Sequence, residues 1–421
     1  MSISALLNFG FCPPLFLNCK IETSLFRKRS LKMELSTNFR NVAIRTKQRT
    51  AFPSSTSNYL KKYVKFIHSN QIAFGNSIRD LFLDRTVHSV LALALTQSGK
   101  TGAMLATIHS FMTTPSLAIN LQNVFIITGH SSNEWVQQTR ERFPASMHNN
   151  IIHRNSLKHF IHSLKSISNA LIFIDETQIA ALKGQTIELA FKEAGISEVD
   201  LYMRDIKMVL VTATPNSCVK RFIPKRVGYQ MAVMQPGHGY TSIFDLVDQH
   251  RVFQFKDLCG FDRKSGSINP AVLDNIKEII PLMTPSPKYH IIRTHHSFLQ
   301  DITIRNFVSV FGDSVLYISN PTDFSFLSSP PSKHSFVFIK ERLRCSTTIH
   351  KEFLGVLYER FSKRGSHSAI IQGLAGRITG YYDSSLSPVV FSNLSSIAFY
   401  KISWLSIFNI YYSDSISVWD F

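Results

Sequence analysis

The chain has 421 residues, enough for two or three domains at about 150 residues each. Hydrophobic residues make up 44% of it, which excludes a wholly disordered chain. Lys and Arg number 46 against 28 Asp and Glu, and the resulting +18 points to a polyanionic partner, nucleic acid first and an anionic membrane surface second. No stretch approaches the about 18 consecutive apolar residues of a membrane span, so no membrane insertion is expected. The five cysteines are scattered without a C-x-x-C pair, and the sixteen histidines show no H-E-x-x-H spacing. Neither a disulfide framework nor a structural metal site is expected, and a reducing intracellular compartment, cytoplasm or nucleus, fits best.

Residues 1–66 are a basic extension with twelve Lys or Arg against Glu22 and Glu34. Such an acid-poor segment suits a nucleic-acid arm or an organelle transit peptide, and Met33 is an alternative start. Regular alternation begins in 67–223. The spacing predicts a helix over 73–83, a strand over 87–95 and, after a short loop, a helix carrying Met104, Leu105, Ile108, Phe111 and Met112 on one side. A strand over 123–128, a helix over 133–142, a short strand at Ile151 and Ile152 and a helix over 156–167 follow. The next strand, 170–174, runs into Asp175-Glu-Thr-Gln178, and another, from 208, into Thr212-Ala-Thr-Pro215. Apolar strands with polar motifs at their C-terminal ends describe an open parallel sheet with its ligand at the carboxyl edge.

Turn residues accumulate in 224–287, which reads as an interdomain region with one helix over 271–280. A second alternation fills 288–421. Strands are predicted over 289–293, 315–318 and 336–340, then a helix over 348–361 and a strand over 368–371. That strand delivers Gln372-Gly-Leu-Ala-Gly-Arg-Ile-Thr-Gly-Tyr381, and the tail from Asp383 shows no clear element beyond some strand. The fold class is therefore α/β, with two parallel-sheet domains.

Four motifs carry chemistry. Gly99-Lys-Thr101 between a strand and a helix fits a phosphate loop, in which backbone N–H groups and a helix N-terminus cradle phosphates and the hydroxyl holds Mg²⁺. Ala94 stands where that fingerprint has its first glycine. Asp175 and Glu176 end a hydrophobic strand, where one carboxylate can hold Mg²⁺ and the other polarise a water. Thr212 and Thr214 are hydroxyls able to remake hydrogen bonds as a nucleotide is hydrolysed. Arg377 is a cation able to meet charge developing on a γ-phosphate. Taken singly, each has a plainer reading: a polar turn, a solvated loop, an ST-turn closed by Pro215, or a common Gly-flanked arginine.

In this order and spacing the four resemble motifs I, II, III and VI of the superfamily 2 helicases and translocases, over about residues 70–385. Thr128 to Trp135, Phe338 to Cys345 and Ile370 to Arg377 are similar to stretches of predicted helicases of large DNA viruses. The resemblance implies two RecA-like domains with ATP and Mg²⁺ at their interface and single-stranded DNA or RNA crossing both. It implies that Thr96, Gln97, Ser98, Gly99, Lys100 and Thr101 hold the nucleotide, that Thr101 and Asp175 hold Mg²⁺, and that Glu176 is the base. Gln178 would sense the γ-phosphate, Thr212 and Thr214 would couple the domains, and Gln372 and Arg377 would complete the site. Thr128, Gln138 and Arg293 would contact the nucleic-acid backbone. The form Ala-x-Thr-x-x-Gly-Lys-Thr is familiar in this group. A second arginine three residues after the first is not matched, because Gly380 stands there. The alternative is a catalytically impaired homologue that only binds nucleic acid; a small-molecule P-loop kinase would leave residues 212–215 idle.

Overall fold

The computed structural model describes residues 67–128, 133–177, 186–215, 228–296, 298–343, 348–362, 365–383 and 388–416. The basic extension 1–66 lies outside them, as does Gln178. Strands β1 (Ser89–Leu93), β2 (Val124–Thr128), β3 (Ile151–Ile152), β4 (Ala170–Asp175), β5 (Ile206–Thr212) and β6 (Tyr229–Val233) form one sheet in the order β3-β2-β4-β5-β1-β6. All its pairings are parallel. Alternate residues of β1 serve opposite faces, which is why its sequence is continuously apolar. Val90 and Ala92 pack with Phe74, Ile78, Ile108 and Phe111 of helices α1 (Ser69–Leu83) and α2 (Lys100–Met112). On the other face of this sheet, Phe125 and Ile172 meet Phe160 and Leu164 of α4 (Leu157–Ser166), which follows α3 (Asn133–Arg142).

A second parallel sheet runs β10-β11-β9-β12-β14-β8, built from β8 (Val252–Gln254), β9 (Tyr289–Arg293), β10 (Leu316–Ser319), β11 (Ser335–Ile339), β12 (Leu354–Tyr358) and β14 (Val389–Ser392). Its outer face packs Phe336 and Phe338 on Phe307 of α5 (Phe298–Phe311). Strands β7 (Tyr240–Thr241) and β13 (Gly380–Tyr381) form a separate antiparallel pair. Leu91 and Leu93 of the first sheet share one apolar cluster with Ile291, Val337 and Leu357 of the second and with Ile371 and Trp404. This is the α/β class expected from the alternation. The stretch 224–287 supplies a strand to each sheet, β6 to the first and β8 to the second.

Two local expectations fail, and the tail adds a helix to the strand expected there. The helix expected over 348–361 contains β12 instead, a strand buried throughout between β9 and β14. Its apolar spacing is compatible with both periods, and Gly355 decides between them: a Cβ there would come within 2.7 Å of the His290 ring on the next strand. The strand expected over 368–371 is helical, His367–Ile370 leading into a π-helical turn, Ile371–Ala375. Four apolar residues cannot by themselves tell a strand from a buried helical turn. The tail holds, after β14, the 23-residue helix α6 (Leu394–Ile416). Among the described residues no helix is long and apolar enough to cross a membrane.

Candidate functional site

Lys100 is the first residue of α2, and Gly99 before it takes a left-handed backbone, φ 99°. Such a φ favours glycine, and a Cβ there would also come within 2.2 Å of the Gln71 side chain. Gln71 on α1 lies over the loop, donating through Nε2 to the Gly99 carbonyl at 2.9 Å while its Oε1 accepts from the His68 N–H at 2.8 Å. Ser98 is buried and its hydroxyl closes the loop on the Leu95 carbonyl at 2.7 Å. Gln97 has φ 54°, a strained value for a non-glycine residue. Thr101 accepts from Arg142 Nη1 of α3 at 3.4 Å.

The acidic pair stands at the end of β4. Asp175 and Glu176 are 5% and 2% exposed, and Lys100 Nζ lies 4.0 Å from Glu176 Oε1. Asp175 accepts from Trp135 Nε1 at 3.1 Å and from the Glu176 N–H at 3.0 Å. Loss of hydration and the neighbouring Glu176 charge push the Asp175 carboxyl up to about 6, against the pull of Lys100. Two buried carboxylates beside one ammonium form an oxygen donor set suited to a hard divalent cation, which would take over the charge that burial makes costly. The threonine hydroxyl at 101 is of the same donor class. Glu176 also sits at φ 53°, so strained backbone occurs at both the loop and the acid pair.

Residues from the distant motifs close on this pair. Gln372 Nε2 donates to Glu176 Oε2 at 2.6 Å and to the Thr214 hydroxyl at 3.4 Å. Thr212 Oγ1 accepts from the Thr214 N–H at 3.0 Å, and Tyr400 of α6 donates to the Ala213 carbonyl at 2.8 Å. Arg377 is 2% exposed, with its guanidinium donating to the carbonyls of Gly373 at 3.4 Å and Gln372 at 3.3 Å. Thr379 donates to the Thr96 carbonyl at 3.1 Å, and the two threonine hydroxyls lie 3.0 Å apart. Tyr240 reaches the same Thr96 carbonyl at 2.5 Å. The segment 372–381 therefore lies directly against the loop that carries Thr96 and Ser98.

The residues expected to meet nucleic acid are placed less uniformly. Thr128 ends β2 fully buried, paired in register with Asp175. Gln138 lies on α3, partly exposed. Arg293 ends β9 at 4% exposure, and its guanidinium is taken up internally. Nε meets Glu359 Oε1 at 2.7 Å, while Nη1 and Nη2 donate to the carbonyls of Lys340, Arg342 and Leu343 at 3.2, 2.7 and 3.2 Å. Glu359 in turn accepts from the Leu374 N–H at 3.0 Å, so Arg293 braces the segment that carries Gln372 and Arg377. Sequence reasoning missed Gln71, Tyr240, Thr379, Tyr400 and the bond from Trp135 to Asp175. Thr379 lies in the stretch 372–381 and Trp135 in 128–135, but neither spacing assigns a partner, and only the folded chain brings these residues to the site.

No protein-family model matches the chain. It is 27% identical over 355 residues to the uncharacterized protein L594 of Acanthamoeba polyphaga mimivirus, covering 78% of this chain and 86% of that one. Among solved structures it is similar to the DExH-box NTPase HrpB of Escherichia coli, with a TM-score of 0.48 and 15% identity over 77% of this chain. It is also similar to the helicase Lhr of Mycobacterium smegmatis, solved bound to ssDNA and AMP-PNP, with a TM-score of 0.35 and 11% identity over 77% of this chain. The chain spans 41% and 42% of the lengths of those two proteins.

Proposed function

We propose that the chain is an ATP-dependent helicase or translocase of the superfamily 2 type, whose RecA-like domains, 67–223 and 288–421, work on DNA or RNA. The observation that carries this reading is the 2.6 Å hydrogen bond from Gln372 to Glu176, which ties the last motif to the acid pair. Hydrolysis needs a water to attack the γ-phosphorus while the bond to the bridging oxygen breaks, releasing diphosphate-bound nucleoside and phosphate. Glu176 takes the water's proton, and Lys100 and Arg377 offset the charge that grows on the phosphoryl oxygens. The cation, held by Thr101 and Asp175, would neutralise phosphate charge when bound. Thr96, Gln97, Ser98 and Gly99 wrap the phosphates, and Gln178 senses the terminal one.

Coupling follows from shared partners. Thr214 and Glu176 are both bound to Gln372, so a change at the γ-phosphate re-sorts bonds at residues 212–214 and, through Tyr400, at α6. Gln138, partly exposed on α3, is the proposed strand contact, while Thr128 is fully buried at the end of β2, and the net charge of +18 supports a polyanionic partner. One observation favours a second reading, a nucleic-acid-binding homologue without turnover: the loop residues Thr96 and Gln97 are fastened to Thr379, Lys351 and the Arg377 carbonyl. An ATPase assay with single-stranded DNA, duplex DNA and RNA in parallel separates the two. Strand-stimulated hydrolysis that Glu176→Gln abolishes supports the motor; strand binding with no hydrolysis supports the second reading.

A further inference from the structure

Lys351 precedes β12 and belongs to none of the motifs, yet its ammonium lies at the phosphate loop. It donates to Gln97 Oε1 at 3.0 Å and to the Thr379 carbonyl at 2.5 Å, and it stands 4.8 Å from the centre of the Tyr382 ring. All three are neutral acceptors. Among the described residues no carboxylate pairs with Lys351, and its nearest charged influence is another cation, Arg377. Burial and that like charge push its ammonium down to about 8. A partly buried cation beside a second cation, held only by exchangeable neutral oxygens, is stabilised by an arriving anion.

Gly380 makes the arrangement possible. It sits at φ 107°, and a Cβ there would lie 3.2 Å from Lys351 Nζ and 3.1 Å from the Gln97 Cβ. A side chain at 380 would press on the ammonium and on Gln97, in a backbone conformation that favours glycine. Glycine at this position thus admits one cation where it removes another.

Resting on the function proposed above, we infer that Lys351 is a phosphate-binding residue that exchanges the Gln97 amide oxygen for an oxygen of the nucleotide's terminal phosphate. Its bond to the Thr379 carbonyl stays, holding segment 372–381 to the loop while the triphosphate is bound. In this role a diphosphate lacks the oxygen that Lys351 takes, so Lys351 reads the presence of the third phosphate. A strand phosphate is the competing source of the same chemistry, but Gln97 belongs to the loop that wraps the nucleotide.

The test titrates the full-length chain with a non-hydrolysable ATP analogue, with ADP and with a single-stranded oligonucleotide, each with Mg²⁺ present. Lys351→Met and Lys351→Gln should weaken the triphosphate analogue about tenfold or more, the loss of one charge-assisted hydrogen bond, and leave ADP within about twofold. Lys351→Arg, which keeps the charge, should recover part of the triphosphate preference. Equal weakening of both nucleotides with a lowered melting temperature indicates a structural lysine and overturns the inference. So does an unchanged ratio, or a loss confined to the oligonucleotide. Lys100→Ala separates this from the parent reading: if it removes nucleotide binding while Lys351→Met changes no ratio, only the role of Lys351 falls. If the wild-type chain binds neither nucleotide, both fall.

Discussion

Gln372 and Glu176 are 196 residues apart in the chain and joined by a 2.6 Å hydrogen bond, with both side chains almost wholly buried. The same amide reaches Thr214, so one glutamine ties together the acid pair and the residues after β5. Gln372→Ala should lower turnover about tenfold to a hundredfold while changing the nucleotide KM little, because a buried acceptor loses a donor worth about 1–3 kcal/mol. Steady-state ATPase kinetics checks this. Equal changes in kcat and kcat/KM are expected, the pattern of an interaction used in the transition state.

Arg293 gives a sharp contrast between a buried brace and a surface contact. Arg293→Ala should destabilise the fold by about 3–5 kcal/mol, because it leaves Glu359 inside without its partner. Arg293→Lys should recover only part of this, since an ammonium cannot fork to three carbonyls. Chemical denaturation measures the cost. Unchanged stability with weakened oligonucleotide binding would instead return Arg293 to the strand-contact role suggested by sequence.

Thr379→Val removes the donor to the Thr96 and Gly376 carbonyls at 3.1 and 2.9 Å. The cost should be about 1–2 kcal/mol, and a thermal melt should shift down by a few degrees, roughly 2–4 °C per kcal/mol. A parallel loss of nucleotide affinity is expected, because Thr96 belongs to the loop.

The depressed Lys351 ammonium sets a pH dependence. It is protonated below about 8 and loses its charge as pH rises through that value, so preference for triphosphate over diphosphate should fade above pH 8. The groups facing it do not share the step: Arg377 remains charged, and the buried Tyr382 phenol is held above its usual range. The sign for stability is opposite. Between about 8 and the ordinary 10.5 the unfolded chain binds the extra proton, so stability contributed at this residue rises with pH across that window. Nucleotide titrations from pH 7 to 9 on wild type and Lys351→Met should show the step in the first and not in the second.

How much of this was legible in the sequence follows from what each element depends on. Strands such as β2 and β4 are near-continuous apolar runs because packing covers both of their faces, and burial alone prints that pattern. The loop and acid stretches could be picked out because phosphate and cation chemistry would fix residue types at fixed positions along the strand and helix, and the fold brings the two together at 4.0 Å between Lys100 and Glu176. The misread stretches are those in which tertiary packing chose between two local options: Gly355 against His290 makes 354–358 a strand, and the cluster around Ile371 and Leu374 holds 367–375 in helical turns. Helix α6 was missed because its residues are apolar on more than one side, which leaves no clear period. Contacts such as those of Gln71, Tyr240 and Lys351 with the loop leave no local trace, since each partner satisfies its own segment without the other.

The most direct test of the account is the rate of ATP hydrolysis by the purified full-length chain with and without single-stranded DNA or RNA, run beside Glu176→Gln. The account expects hydrolysis that rises severalfold with one of the strands and falls to background in the variant, with nucleotide binding retained. Hydrolysis that no nucleic acid stimulates, or that persists undiminished in Glu176→Gln and Lys100→Ala, would contradict it.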